Sequence, residues 1–367
     1  MPTPEQHEAL LSTIERANEA CNYASDIAWQ NQTFRQFPLH KRVYRDIRDR
    51  FELSAQMAIR VEGKVADAYK LDRKTKRDFT PHGAIAYDDR ILKWKLADSE
   101  VSIWTLEGRQ SIGFTTGERQ HKWLAFRQGE SDLVYSRGKF YLLATCEVPE
   151  PPPEDIDSYL GVDLGVVNIA TDSEGNSHSG SHVRRVRVRH RRLRKRLQKK
   201  GTKSAKRKLK QLSGKESRFA RDVNHCVSKS IVATAQRNRQ GIALEELKGI
   251  RQRVRARRSQ RGDLHSWSFH QLGQCLAYKA RLAGIPVVQV DPRNTSKACP
   301  LCGHVAKANR PTRDRFHCGL CGHSGAADHI AALNISVRGG AAINRPNVSG
   351  VGASTVHAAS QGQATDF

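Results

Sequence analysis

Three observations predict a multidomain α/β fold. Apolar residues recur at spacings of three and four in the first hundred residues, a period of two replaces them from about Glu100 to Val148, and strands then alternate with helices. A length of 367 residues allows two or three domains with cores of their own.

The chain opens on a helix. Thr3, Pro4 and Gln6 form a T-x-x-Q capping box with proline at the first helical position, and Leu10, Ile14, Ala17, Cys21, Ala24 and Ala28 lie on one face. Helical patterning continues past Phe51, Leu53, Ile59 and Val65, so residues 1–98 are assigned to a helical domain. Residues 99–150 are assigned to a small β-domain of barrel type: Phe140, Leu142, Ala144, Cys146 and Val148 alternate with their neighbours, and glycines punctuate the strands. Pro149–Pro153 follows as a stiff linker, because consecutive prolines favour extended backbone and cannot donate to a ladder.

Residues 151–296 hold the alternating strands and helices. YLGVDLGVVNIATDSEG (159–175) predicts two apolar strands joined at Asp163-Leu164-Gly165. A carboxylate between Val162 and Leu164 must be paired, protonated or metal-bound. A short apolar strand, Ile242 to Leu244, ends in Glu245 and Glu246, a pair that is ordinary on a surface. A helix with Leu272, Cys275, Leu276, Ala280 and Ala283 on one face stops at Gly284 and Pro286, and IPVVQV follows as a strand. DHIAALNI (328–335) predicts a helix with Asp328 in its first turn, where capping and the helix dipole alone would tolerate an acid. The segment 324–338 ends there, and residues 339–367, without apolar periodicity, are expected to be a disordered tail.

Residues 297–323 carry two C-x2-C pairs, Cys299/Cys302 and Cys318/Cys321. Four thiolates at this spacing suit tetrahedral zinc, with Gly303 and Gly322 supplying tight turns and the arm between the pairs forming a short hairpin. Four protein ligands leave no open position, so the zinc is structural. The first residues do not resemble a signal segment, which disfavours disulfides. Cys21, Cys146, Cys226 and Cys275 show no partner spacing and are expected reduced and packed.

The formal charge of +25 exceeds what solubility requires and points to a polyanion. From Arg184 to Lys210 there are sixteen Lys or Arg and no acid, with Arg184, Arg185, Arg187, Arg191, Arg192, Arg194 and Lys195 as candidate phosphate contacts. Arg251, Arg253 and Arg255 belong to a second run ending at Arg261. No apolar stretch approaches a spanning helix and the basic runs lack an opposing apolar face, so nucleic acid is the expected partner, not a membrane.

In order along the chain, PTPEQ, GVDLGVVNIAT, LEEL, SWSFHQL, VDPRNTSKACPLCGH, the second C-x-x-C, DHIAALNI and INRPNVS resemble TnpB, the OrfB zinc-ribbon family of transposon-encoded RNA-guided nucleases related to miniature type V CRISPR effectors. The resemblance covers most of the chain, and its ribbon and DxxAAxNI portions are the most specific. It implies a RuvC-like, RNase H-type nuclease domain split into three segments around the ribbon, behind a helical recognition domain and a wedge-type β-barrel. On that template Asp163, Glu245 and Asp328 are the catalytic acids, Glu246 stands where relatives carry Asp or Asn, and Ile330 replaces a common Asn. Relatives begin with a basic strand ahead of the PTPEQ helix that this sequence does not show, a departure bearing on duplex-end recognition more than on catalysis.

Three acids of this kind suit two Mg²⁺ ions, which in such sites lie about 3.5–4 Å apart and act on both sides of a phosphodiester. The resemblance further implies a guide RNA and a target DNA as partners, sequence being read by base pairing and a short adjacent motif by protein. Work on the nucleoid of a bacterial or archaeal cytoplasm follows, and monomer and dimer on one RNA both stay open. Two alternatives share the scaffold: a nuclease-dead RNA-guided repressor, which the presence of Asp163, Glu245 and Asp328 argues against, and a type V effector using a CRISPR guide. A strand-joining transposase would need a tyrosine nucleophile with paired histidines, a motif that is not seen.

Overall fold

The computed structural model describes residues 2–247 and 269–343, and the chain divides into two compact units, Met1–Val148 and Pro149–Phe367.

The first unit begins with α1 (Pro4–Gln30). Its capping box is complete, the Gln6 N–H donating to Thr3 Oγ1 at 3.2 Å and the Thr3 N–H to Gln6 Oε1 at 3.0 Å. Helices α2 (Gln36–Phe51) and α3 (Ala55–Leu71) bury Leu39, Val43, Ile47 and Phe51, and Met57, Val61, Val65 and Tyr69, in one core with the α1 face. Strands β1 (Ile85–Tyr87), β2 (Leu92–Lys95), β3 (Glu100–Thr105) and β4 (Gly108–Gly113) precede α4 (Glu118–Leu124), β5 (Arg127–Ser136) and β6 (Lys139–Cys146). β5 and β6 meet at a two-residue turn, Arg137-Gly138, both at positive φ as a primed hairpin requires.

Two expectations change here. The β-region starts at Ile85 rather than at residue 99, because β1 and β2, three and four residues long, are too short to display a period of two. The single barrel expected of residues 99–150 is replaced, among the described residues, by two three-stranded antiparallel sheets, β1-β5-β6 and β2-β3-β4. The chain changes sheet at Asp88, whose carbonyl accepts from the N–H groups of both Ile91 and Leu92.

The second unit is built on a five-stranded sheet of β7 (Ser158–Asp163), β8 (Asn168–Asp172), β9 (Ser177–Ser179), β10 (Gln240–Glu245) and β11 (Val287–Val290), in the order β11-β10-β7-β8-β9. β7, β10 and β11 run parallel, and β8 is antiparallel to both β7 and β9. Strand period two divides the side chains between two faces. Leu160, Val162, Ile242 and Leu244 pack with Val227 and Ile231 of α7 (Lys215–Arg237) and with Leu272 and Leu276 of α8 (Phe269–Leu282). Tyr159, Ala243 and Val290 pack with Ile335 of α9 (Ala327–Ile343).

Helix α9 comes unusually close to β7. A Cβ added at Gly161 would stand 2.0 Å from the Ala332 carbonyl oxygen and 2.4 Å from the Ser336 nitrogen, and one at Gly339 would stand 2.7 Å from the Ala243 Cβ. Ser336 Oγ donates to the Tyr159 carbonyl at 2.6 Å and pins the crossing. The helix continues through Ile343, past the Gly339 at which the tail was expected to begin, because Gly339 makes a helix-to-sheet contact. Residues 344–367 of that expected tail lie outside the described residues.

The basic run forms a helical hairpin, α5 (Ser181–Lys200) and α6 (Lys203–Leu212), turning at Gly201 with φ of 65° and capped by Thr202. In the ribbon the expected hairpin does not lie between the cysteine pairs. β12 (Arg315–His317) and β13 (Ser324–Ala326) flank the second pair instead, a bridge from Ala298 to Val305 flanks the first, and the arm holds a 3₁₀ turn at Lys307–Asn309. Of the remaining thiols Cys21 and Cys275 are buried, whereas Cys226 is exposed on α7.

Gly161→Ala is expected to destabilise the second unit by about 3 kcal/mol, since backbone rather than a flexible side chain blocks the new methyl. Denaturant unfolding of the two proteins side by side checks this, and Gly340→Ala, which meets nothing within 4 Å, is the matched control.

Candidate active site

The alternation that sends Leu160, Val162 and Leu244 to the α7 face turns Asp163 and Glu245 to the α9 face, at the ends of neighbouring parallel strands. Asp328 joins them from the first turn of α9. Burial, and after it the charges of Glu245 and Asp328, push the Asp163 carboxyl up from 3.8 to about 7, against a smaller opposing effect of Arg310. Burial also raises Glu245, held back by its hydrogen bond from Thr295 and by Arg338. Glu246 points away and is exposed.

Each of the outer acids has its own holders. Asn168 Nδ2 donates to Asp328 Oδ2 at 3.0 Å, and Arg310 Nη2 stands 3.4 Å from Oδ1. Thr295 Oγ1 donates to Glu245 Oε1 at 2.5 Å. None of these partners was singled out from the sequence. Asn168 lies within the GVDLGVVNIAT motif, and Thr295 within VDPRNTSKACPLCGH, so the motifs held the signal without saying which residues touch the acids.

The ribbon abuts this site through Arg310, which its arm supplies, and through the Ala327 N–H, which donates to the Asp314 carbonyl at the start of α9. Its knuckles are alike. The N–H groups of Gly303 and Gly322 donate to the carbonyls of Cys299 and Cys318 at 3.0 Å, with both glycines at positive φ. All four Sγ atoms lie within 4.8 Å of one another, and Cys299–Cys321 and Cys302–Cys318 are each 3.6 Å apart. That is far beyond a disulfide and close to the ~3.8 Å that tetrahedral Zn–S bonds of about 2.3 Å impose. The four thiols so clustered can hold a metal and are consistent with a zinc ribbon. Among the described residues only these cysteines draw three or more such ligand atoms that close.

On α5, Arg184, Arg185, Arg191, Arg192, Arg194 and Lys195 are exposed, but Arg187 is not. It is 6% exposed and lies 3.5 Å from Glu216, which also pairs with Arg194 at 2.8 Å. Arg187 therefore faces α7 as a buried ion-pair partner rather than a surface phosphate contact. Arg251, Arg253 and Arg255 fall outside the described residues. No described helix is long and apolar enough to cross a membrane.

Comparison with known proteins bears on both halves of the second unit. A family model described as "Probable transposase" (OrfB_IS605) matches residues 144–249, and one described as "Cas12f1-like, TNB domain" matches residues 269–335. The CRISPR-associated endodeoxyribonuclease Cas12f1 of Sulfoacidibacillus thermotolerans is 36% identical over 35% of this chain and 29% of its own length. The putative RNA-guided DNA endonuclease InsQ of Escherichia coli is 28% identical over 57% of this chain and 56% of its own. A TnpB-like protein of Methanocaldococcus jannaschii is 28% identical over 50% of this chain and 69% of its own. The chain thus spans less than two thirds of the first two. In fold it is similar to Cas12f1 as solved in complex with sgRNA and target DNA, with a TM-score of 0.58 at 16% identity, over 91% of this chain and 83% of that one. The resemblance to TnpB and the miniature type V effectors is borne out.

The Asp163 shift has a definite sign. A folded-state pKa raised above 3.8 gives stability that is complete below about pH 4 and lost as pH rises through about 7. Asp163→Asn, which mimics the protonated acid at every pH, should therefore melt with the native protein near pH 4 and above it at pH 8, by at most about 4 kcal/mol. Melting curves in magnesium-free buffer without chelator, which would strip the ribbon, check this, and a gap that stays constant with pH contradicts it.

Proposed function

We propose that this protein is an RNA-guided DNA endonuclease of a mobile element that hydrolyses target phosphodiesters at Asp163, Glu245 and Asp328. The observation that carries the reading is the convergence on one face of three carboxylates from segments far apart in sequence, where burial first and then the charges of Glu245 and Asp328 raise Asp163. A cluster of that kind is uncompensated charge, and hard oxygen donors suit Mg²⁺, so the residues fit the metal. When bound, magnesium would supply charge neutralisation and activate the attacking water, and the products would be 5′-phosphate and 3′-hydroxyl ends. Asn168 and Arg310 orient Asp328, and Thr295 orients Glu245.

The five-stranded sheet in which β8 runs antiparallel to β7, with α9 laid across β7, supports an RNase H-type, RuvC-like domain interrupted by a zinc ribbon. The first unit, helices followed by two small sheets, supports the recognition and wedge assignments. Guide RNA and target DNA are the partners, gripped through phosphates by Arg184, Arg185, Arg191, Arg192, Arg194 and Lys195 on α5 and by the run that includes Arg251, Arg253 and Arg255. The nuclease-dead alternative would leave the carboxylate cluster without a purpose.

The test uses the protein with its co-purified RNA. Asp163→Ala and Asp328→Ala should each abolish cleavage of DNA complementary to the guide while retaining the RNA, and undiminished cutting by either removes that acid from the site. Replacing Arg191, Arg192, Arg194 and Lys195 by Gln should weaken RNA binding and flatten the slope of log affinity against log salt by roughly 0.7–0.9 per lost phosphate contact. An unchanged slope moves the grip away from α5.

A further inference from the structure

The loop between β11 and the first cysteine holds Glu245, and it is itself held by α9. Thr295 is 3% exposed, and its hydroxyl has one proton to give, with Glu245 Oε1 at 2.5 Å and the Pro292 carbonyl at 3.1 Å. The carboxylate is the shorter and stronger acceptor. The loop cannot slide, because Asn334, 8% exposed on α9, donates from Nδ2 to the Thr295 carbonyl at 2.7 Å and to the Ala298 carbonyl at 2.9 Å. Both carbonyls are taken by one side chain, so the loop has one seat on the helix. Ala298 precedes the first zinc ligand, Cys299, and the N–H groups of Lys297 and Ala298 both donate to the Asn294 carbonyl in a tight turn with Asn294 at φ of 59°.

We propose that Thr295 is a positioning residue for Glu245, seated by Asn334, so that the helix carrying Asp328 also sets the orientation of the Glu245 carboxylate. The inference rests on the reading of Glu245 as a divalent-metal ligand. A hydroxyl on Oε1 fixes the carboxylate plane and leaves Oε2 as the oxygen it does not engage. Without it the carboxylate of a strand-end glutamate can turn about its last torsion, and a metal site loses one of its prearranged donors.

A pair of substitutions separates this role from packing. Thr295→Val keeps the shape and removes the hydroxyl, and Thr295→Ser keeps the hydroxyl and removes the methyl. Mn²⁺ binding to the protein with its co-purified RNA, measured by electron paramagnetic resonance, is expected to weaken tenfold or more in Thr295→Val, the range typical of such outer partners, and to stay within about threefold of native in Thr295→Ser. Asn334→Leu, which removes both donors without touching an acid, should weaken Mn²⁺ in the same direction and serves if Thr295→Val folds poorly. Native Mn²⁺ affinity in Thr295→Val with impaired folding in Thr295→Ser would make Thr295 a packing residue and overturn the proposal. Glu245→Gln is measured alongside. If it loses Mn²⁺ and Thr295→Val does not, only the positioning role fails. If Glu245→Gln also binds as the native protein does, the metal reading of Glu245 fails and takes the positioning role with it.

Discussion

Everything at the candidate site depends on one close approach, that of the α9 backbone to β7 at Gly161. A helix resting on a sheet through ordinary side chains stands farther off, and a carboxylate in its first turn would then sit well off the strand ends. With no side chain at Gly161 and small residues at Ala332, Gly339 and Ala243, the helix settles against the strand backbone, and Ser336 bonds directly to the Tyr159 carbonyl. Asp328 is thereby brought into electrostatic range of Asp163. The opposite sheet face shows the usual large-residue packing of Leu160, Val162, Leu272 and Leu276.

The ribbon belongs to the same assembly. It leaves the sheet beside Thr295, returns at Ala327, and on the way supplies Arg310. Two of the three acids are therefore held by residues at its root or in its arm. A four-cysteine metal set is a compact way to stiffen some thirty residues that are too short to have a core of their own. Phe316 and Ile330 are among the few apolar side chains buried between the ribbon and α9.

The parts legible in the sequence are those whose evidence is local. Cysteine spacing, the capping box at Thr3, and acids set in or beside apolar runs all declare themselves within a few residues. What escaped is non-local or ambiguous within its run. Asn168 reaches Asp328 across 160 residues and Asn334 reaches Thr295 across 39, distances over which no periodicity speaks. Arg187 sat in a run of like charges that does not announce which face is buried. Its spacing of four from Val183, the one apolar residue buried on that helix, was the available clue. The strands at Ile85 and Leu92 were hidden by their brevity, and the passage between two small sheets by the absence of any rule that distinguishes one short antiparallel ladder from the next.

Asp163, Glu245 and Asp328 are proposed to form one divalent-metal site. The most direct measurement is anomalous diffraction from crystals of the protein with its RNA soaked in Mn²⁺, recorded at wavelengths that separate manganese from zinc. Manganese signal is expected within coordination distance of all three carboxylates, and zinc signal among Cys299, Cys302, Cys318 and Cys321 as an internal control. Zinc at the cysteines with no manganese at the three acids would contradict the proposal.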